Sequence, residues 1–200
     1  MTHAQNPGRK AASRYNGLTM RNESVFALLI LVLTPAIAKP DVVDSASNGF
    51  TVKVTVQIQA APKDVYRQLI HNVGDWWNSA HTFSGDAHNL SIEEKPMGCF
   101  CEKLPNEGSV RHMEVVSLMP GKSLGMTGAL GPLQMIAATG NMRVQLLASE
   151  GGTKLEATYS VTGYLLAGMN TFAAPVNSVL TEQFTRLKNY VEHGNPAPPK

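Results

Sequence analysis

The sequence NTFAAPVNSVLTEQFTRLKNYVE, residues 170–192, decides the fold. Its apolar residues recur at spacings of three and four, which lays one stripe along a helix of several turns: Val176, Leu180, Phe184, Leu187 and Val191. Polar residues are predicted to face away from this stripe, namely Gln183, Arg186, Lys188 and Glu192. A single long helix at the end of a strand-rich chain needs a curved sheet to pack against. The pattern therefore predicts one sheet wrapped around one helix, with a cavity between them.

The formal net charge of +2 belongs to the first 38 residues rather than to the folded part. Four of the 17 Lys and Arg residues precede Ala38, against a single acidic residue, Glu23. The remainder carries thirteen basic and fourteen acidic side chains, a net charge of −1. A nucleic-acid-binding protein needs a basic face on its folded domain. We therefore expect no nucleic-acid partner.

Residues 1–38 have the pattern of a leader. The apolar run VFALLILVL, residues 25–33, is preceded by Arg21 and followed by the small-residue pattern Ala36-Ile37-Ala38. These are the three regions of a secretory signal, and the run is shorter than the roughly 20 residues that span a bilayer. We predict cleavage after Ala38, with Met20 a candidate start; an uncleaved anchor and a buried apolar segment are the alternatives. The mature protein is then periplasmic or secreted, with no stable membrane span.

Alternation of apolar and polar residues predicts about seven strands after the leader. They cover residues 50–58, 90–94, 99–103, 110–118, 123–127, 135–147 and 154–161. Between the first two strands, Pro62 begins a short helix over residues 63–70, and residues 75–78 begin a second helix or turn. The last two strands each have one polar and one apolar face, which indicates an antiparallel sheet covered on one side. The predicted fold class is α+β, with residues 39–48 as a polar tether, residues 49–194 as the domain and residues 195–200 as a Pro-rich tail.

This order of elements, together with the strand-to-helix junction IQAAPKDVY at residues 58–66, resembles the START-like or helix-grip superfamily (SRPBCC). That superfamily includes polyketide cyclase/dehydrase and lipid-transport proteins, and the resemblance covers residues 48–194. It implies a curved antiparallel sheet of seven strands around the last helix, with an apolar cavity open near the short helices. It implies no reaction, because the same fold is used by carriers and by enzymes.

The segment GCFCE, residues 98–102, holds both cysteines of the chain. On a strand, Cys99 and Cys101 point to one face about 6.6 Å apart, whereas a disulfide needs its Cβ atoms about 3.8 Å apart. A hairpin with a two- or four-residue connection would set Cys101 opposite His112 and Cys99 opposite Glu114. The same register sets Glu102 opposite Arg111 on the other face. A three-residue loop would break this pairing.

Four interpretations of this region remain open at this stage. The thiols and His112 line the cavity, the cysteines form a strained disulfide, Cys99, Cys101, His112 and Glu114 bind zinc, or a thiol activated by His112 is a nucleophile. The spacing is not an established zinc pattern, so we predict no metal and no cofactor. Phe100, Met113 and Val115 favour one face of these strands as the concave one, and the cysteines with Val116 favour the other.

Aromatic and soft apolar side chains are the candidates for the cavity lining, with core packing as the alternative for each. Residues 76–83 supply an aromatic-rich mouth, and methionines supply adaptable lining. The candidate ligand-binding residues are Trp76, Trp77, His81, Phe83, Cys99, Cys101, His112, Met126, Leu130, Met142, Tyr159, Met169, Phe172, Val176 and Leu180.

The sequence therefore predicts an exported binding or transport protein for a small hydrophobic molecule, such as a lipid, an isoprenoid or an aromatic polyketide-like compound. Loops at Gly85 and at residues 128–132 would gate the mouth. The alternative is a cyclase- or dehydrase-type enzyme in which His112, Glu114 and Cys101 transfer protons, and it requires those groups to converge inside the cavity. A protein-interaction module would instead need a large exposed apolar patch.

Overall fold

The computed structural model describes residues 39–198, so the predicted leader and its cleavage site lie outside the described residues. The strands are β1 Lys39–Ala46, β2 Gly49–Ile58, β3 Leu90–Ile92, β4 Cys99–Lys103, β5 Ser109–Met119, β6 Ser123–Gly128, β7 Ala137–Ser149 and β8 Gly152–Tyr164. The α-helices are α1 Pro62–His71, α2 Val73–Trp76 and α3 Ala173–His193. Short 3-10 turns occur at Ser79–His81, Ala87–Asn89, Gly131–Met135 and Met169–Phe172. Within residues 39–198 no helix has the length and apolar character that crossing a bilayer requires.

All strands join one antiparallel sheet in the order β1-β2-β8-β7-β6-β5-β4-β3. The predicted α+β class, with an antiparallel sheet and a long C-terminal helix, is confirmed. The sheet has eight strands rather than about seven, and α1 and α2 follow β2. Alternation on β7 and β8 is also confirmed, since Met142, Val144, Leu155 and Ala157 are buried on the covered face.

The additional strand is the segment that was predicted to be a polar tether. Residues 39–46 pair with β2 from Lys39 opposite Thr55 to Ala46 opposite Gly49. The prediction was wrong because β1 is an edge strand whose side chains from Asp41 to Ala46 are exposed, so its sequence shows no apolar alternation. Even Val42 and Val43 are exposed, and an irregularity in the pairing falls between Val42 and Asp44.

Polar contacts as well as the apolar stripe hold helix α3 in place. Leu180, Phe184 and Leu187 are buried as the periodicity predicts. Gln183, which was predicted to face away from this stripe, is also completely buried, and its side-chain oxygen accepts a hydrogen bond from the Asn78 backbone N–H at 2.8 Å. At the far end of the helix, the Glu192 carboxylate accepts from the Gln59 N–H at 2.7 Å. Polar contacts therefore fix the helix against the short helical region as well as against the sheet.

The concave face of β4 and β5 is the one that carries Phe100, Met113 and Val115, all of which are buried. Val116 is exposed on the opposite face, and the two cysteines alternate with the buried residues of β4. This assignment determines which side chains of the hairpin reach the interior.

Candidate functional site

A cavity of about 330 Å³ lies between the N-terminal half of α3, the segment after α2, strands β4 and β5, and the loop after β6. Its walls are mainly apolar and aromatic. The lining residues are Trp77, Ala80, His81, Thr82, Phe83, Leu90, Phe100, His112, Leu130, Gly131, Pro132, Leu133, Phe172, Pro175, Val176, Val179 and Leu180. Among these described lining residues there is no Lys, Arg, Asp or Glu. The cavity therefore suits a neutral, largely apolar molecule.

One extra residue in β5 brings His112 into this cavity. The β4–β5 loop contains three residues, since Leu104 N–H donates to Gly108 C=O at 2.8 Å across it. This loop sets Cys101 opposite Arg111, but Phe100 is opposite Met113, so His112 has no partner on β4. Such a β-bulge interrupts the alternation of faces. His112 and Met113 are consequently both buried, while Arg111 is exposed.

The predicted register was therefore correct on one side of the bulge and wrong on the other. Cys99 is opposite Glu114 as predicted. Cys101 is not opposite His112, and Glu102 is opposite Val110 rather than Arg111, because the loop has the three-residue length that breaks the predicted pairing. The carboxylate that meets His112 is accordingly Glu102 and not Glu114.

Glu102 is fully buried and accepts hydrogen bonds from three donors. His112 Nε2 lies 2.9 Å from Oε2, the Phe83 N–H donates to the same oxygen at 3.1 Å, and the Ser84 N–H donates to Oε1. A buried carboxylate is tolerated only when its oxygens are paired in this way. Glu102 therefore joins three segments: its own strand, the bulge of β5 and the loop that follows the mouth segment.

The hydrogen bonds also assign the protonation of His112. Its Nε2 faces a carboxylate and must carry a hydrogen, while Gln134 Nε2 lies 3.2 Å from Nδ1 and donates to it. Burial lowers the pKa of His112 below its ordinary 6.5, and the Glu102 carboxylate offsets this only in part. Burial alone would raise the pKa of Glu102, but hydrogen bonds from Ser84, Phe83 and His112 hold it below 4.5. The pair is thus a neutral imidazole next to an ionised carboxylate.

Two phenylalanines hold the imidazole ring in place. Phe83 stacks on His112 with ring centroids 5.9 Å apart and planes 12° apart, and Phe100 packs on it at 5.2 Å with a tilt of 43°. Trp77 extends this group through an edge contact with Phe100 at 5.7 Å. The aromatic contacts restrict rotation of the imidazole and surround it with apolar surface, which is consistent with its lowered pKa.

We expect acidification to destabilise the folded protein through this pair. A lowered pKa means that the folded chain binds the proton more weakly than the unfolded chain. The stability from His112 is therefore present above pH 6.5 and is lost as the pH falls below that value; the stability from Glu102 is lost below 4.5. Urea unfolding measured from about pH 8 down to about pH 5 should show a decline that begins near pH 6.5 and is absent in His112→Gln.

His88→Asn is the control for this measurement. His88 is exposed, and its pKa is raised by the hydrogen bond and charge of Asp86, so its contribution to the pH dependence has the opposite sign. The decline near pH 6.5 should therefore persist in this variant. The assignment would be contradicted if His112→Gln kept the same pH dependence as the native chain.

Polar groups of α3 fix the mouth of the cavity. Glu182 accepts a hydrogen bond from Asn78 Nδ2 and lies 3.0 Å from His81 Nε2. One turn later, Arg186 Nε donates to the Trp76 carbonyl at 2.9 Å. The indole N–H of Trp77 donates to the His81 carbonyl at 3.1 Å. These contacts hold the aromatic wall in position over the first half of the helix.

Cys99 and Cys101 are joined by a disulfide, with their Cα atoms 5.3 Å apart. They lie on the face of β4 opposite Phe100 and Glu102, and so they do not line the cavity as predicted. Glu114 forms an ion pair with Arg111 at 3.0 Å and is also outside the cavity lining. The predicted alternatives of a zinc site and of an activated thiol are therefore wrong. No group of three or more His, Cys, Asp or Glu within residues 39–198 is arranged to hold a metal ion.

The other candidate ligand-binding residues fall into two groups. The cavity lining includes Trp77, His81, Phe83, His112, Leu130, Phe172, Val176 and Leu180. Buried outside the lining are Trp76, Met126, Met142, Tyr159 and Met169. Trp76 is a core residue that stacks on Phe184, and the Tyr159 hydroxyl donates to the Gly128 carbonyl, so both are occupied by internal contacts.

Several residues of the site were missed from the sequence. Glu102 and Gln134 contact His112, and Val179 and Phe100 line the cavity. Val179 follows Val176 by three positions, so helical spacing could have identified it. The sequence indicated the burial of Glu102 less clearly. It is a charged residue near the end of β4, and charged residues are ordinarily exposed.

No family model and no curated protein matches this chain. Solved structures do match it. An uncharacterized protein from Rhizobium leguminosarum is 14% identical, with a TM-score of 0.54 over 78% of this chain and 97% of that one. A protein from Mesorhizobium loti is 18% identical, with a TM-score of 0.52 over 70% and 94%. One from Staphylococcus saprophyticus is 13% identical, with a TM-score of 0.52 over 74% and 96%. At these identities the likeness shows the fold alone, and it is consistent with a helix-grip type of fold.

Proposed function

We propose that this chain is an exported binding or transport protein for a small, largely apolar molecule held between the sheet and α3. The observation that carries the proposal is the cavity of about 330 Å³ lined by aromatic and aliphatic side chains. Pockets of roughly 300–1,000 Å³ with few polar groups are typical of small-molecule sites. A lipid chain segment, an isoprenoid or an aromatic polyketide-like compound fits this description, as in the START-like superfamily that the sequence resembles.

Two features support export. The first 38 residues have the n-, h- and c-region pattern of a secretory signal. The Cys99–Cys101 disulfide is the second, because disulfides persist in oxidising compartments and are rare in the cytosol. Recovery of the protein from the periplasm or medium with Lys39 at its N-terminus would establish this part of the proposal, and retention of residues 20–38 would contradict it.

Native mass spectrometry of the mature protein is the direct test of binding. A ligand that co-purifies is expected to add its mass under native conditions and to be lost on denaturation. The denatured protein should also be lighter by about 2 Da than the reduced chain, because the disulfide lacks two hydrogens. Titration with the neutral apolar dye N-phenyl-1-naphthylamine tests the empty protein, and failure of the dye to saturate a single site would contradict the proposal.

Filling the cavity is expected to weaken binding without unfolding the protein. Val179 is partly exposed, lies on α3 and lines the cavity. Val179→Trp should weaken N-phenyl-1-naphthylamine binding by about tenfold or more, because the indole occupies the space that the dye needs. The matched control is Ser178→Trp, which places the same side chain on an exposed position of the same helix. Equal affinities of the two variants would show that the dye binds elsewhere.

A second candidate function, proton-transfer catalysis, is favoured by one observation. A neutral histidine oriented by a buried carboxylate in an apolar pocket has the arrangement of a general base. Glu102 takes the place of the predicted Glu114 and Cys101, which do not reach the cavity. The two functions differ in what happens to the co-purified ligand. A carrier releases it unchanged, whereas an enzyme converts it to a product. His112→Gln would stop that conversion.

A further inference from the structure

His112 lines the cavity and is held by the buried carboxylate of Glu102. Its ring nitrogens bear on which polar group a ligand can carry. His112 presents two ring nitrogens, and Nε2 is fully used by the Glu102 carboxylate at 2.9 Å. The opposite edge, which carries Nδ1, faces the 3-10 turn Gly131–Met135, whose residues Gly131, Pro132 and Leu133 line the cavity. Nδ1 is therefore the nitrogen at which a ligand would compete with an internal partner, the Gln134 amide.

Nδ1 can only accept a hydrogen bond. Since Nε2 carries the hydrogen, Nδ1 holds a lone pair, and the Gln134 amide donates to it at 3.2 Å. A ligand group at this position must therefore bring its own hydrogen. A carboxylate has none, and the ionised Glu102 lies directly behind the ring with no compensating cation among the described lining residues.

The other polar side chains of the lining are already paired inside the protein. The Trp77 indole N–H donates to the His81 carbonyl at 3.1 Å, and the Thr82 hydroxyl donates to the Ser79 carbonyl at 2.7 Å. His81 Nε2 pairs with Glu182 at the mouth. The contact between Gln134 and His112 is longer than these, and Gln134 is partly exposed, so its amide can return to water when it leaves Nδ1.

We propose that His112 Nδ1 is the polar anchor of the cavity, and that it selects an apolar molecule bearing a hydroxyl group, which replaces the Gln134 amide on binding. This inference rests on the proposed binding function and specifies its ligand class: apolar alcohols or phenols rather than fatty acids or hydrocarbons. Gln134 acts as the internal donor that keeps the buried nitrogen paired when no ligand is bound.

Three aromatic probes that differ in one substituent test the proposal. We expect the native protein to bind 2-naphthol about five- to tenfold more tightly than 2-methoxynaphthalene, which has the same ring system but no donor. 2-Naphthoate should bind more weakly than 2-naphthol. Equal affinity for the naphthol and its methyl ether, or tightest binding of the naphthoate, would overturn the proposal and leave the binding function intact. If none of the probes saturates, the binding function itself fails.

Two substitutions locate the effect at this nitrogen. Gln134→Met removes the competing donor while keeping a side chain of similar length, and should raise affinity for 2-naphthol about two- to threefold without changing that for the methyl ether. His112→Leu removes the acceptor nitrogen and supplies no other acceptor, so the preference for 2-naphthol should fall to about one. A preference that survives His112→Leu, or that Gln134→Met leaves unchanged, would overturn the assignment. Because Gln134 is partly exposed, the Met variant remains informative even if the His112 variant folds poorly.

Discussion

Glu102→Ala is expected to lower the free energy of unfolding by about 3–5 kcal/mol, because three N–H donors lose their acceptor and each buried donor left unpaired costs about 1–3 kcal/mol. The side chain is completely buried and accepts from His112, Phe83 and Ser84. Alanine leaves the buried His112 N–H and two partly buried backbone N–H groups without an acceptor, and each unpaired donor destabilises the fold. Urea unfolding monitored by tryptophan fluorescence would measure the change, since Trp77 packs against Phe100 beside this pair.

Glu114→Ala is the matched control on the same hairpin. Its ion pair with Arg111 is at the surface, where the Arg111 side chain is 65% exposed, and such pairs contribute about 0–1 kcal/mol. Glu102→Gln keeps one acceptor oxygen in place and should fall between the two. If Glu102→Ala were no more destabilising than Glu114→Ala, the carboxylate would not hold the loop and the bulge together as we describe.

Phe184→Ala is the second substitution with a large expected effect. Phe184 is buried at the centre of α3 and stacks on Trp76 with ring centroids 6.5 Å apart. Removing a buried aromatic ring leaves a cavity and costs about 3–5 kcal/mol. Chemical denaturation would show this as a lower midpoint with an unchanged slope.

Ser178→Ala on the exposed side of the same helix is the comparison for Phe184→Ala, and it should change stability by no more than about 0.5 kcal/mol. Phe184→Leu retains most of the volume and should be less harmful than alanine. A small effect of Phe184→Ala would mean that packing of α3 through Phe184 is not a main source of the stability of the core.

The sequence identified the elements that depend on periodic burial. The stripe through Leu180, Phe184 and Leu187 predicted α3, and alternation predicted β7 and β8, because in each case one face of the element is covered. Strand β1 was missed for the converse reason. An exposed edge strand such as Lys39–Ala46 is held by backbone hydrogen bonds to β2, and these leave no pattern in its side chains.

The sequence also failed to predict the burial of polar residues that form hydrogen bonds inside the protein. Glutamine is usually found at the surface. Gln183 is nevertheless buried, and its side-chain oxygen accepts a hydrogen bond from the Asn78 N–H. Glu102 is buried and accepts hydrogen bonds in the same way. Contacts between residues about a hundred positions apart, such as Asn78 and Gln183, are set by the assembled fold and cannot be read from local spacing.

The hairpin shows where a sequence signal was present but indirect. The segment Val110 to Val115 places Arg111 at the same parity as Met113 and Val115, so unbroken alternation would have put a guanidinium in the core. That conflict indicates a change of face between Arg111 and Met113. Combined with a three-residue loop in which Asn106 and Glu107 both have positive φ, at 57° and 61°, it accounts for the bulge at His112.

The extra residue at His112 makes the chemistry of this protein depend on chain length as well as on residue type. A homologous hairpin that lacked the residue at the position of Arg111 would keep the histidine but pair it with Cys101, and the imidazole would then lie on the same face as the cysteines. A gap of one residue in an alignment of β5 is therefore equivalent to loss of the polar anchor that we propose. Related chains with this fold should be compared by the length of this strand before their cavities are assumed to take the same molecule.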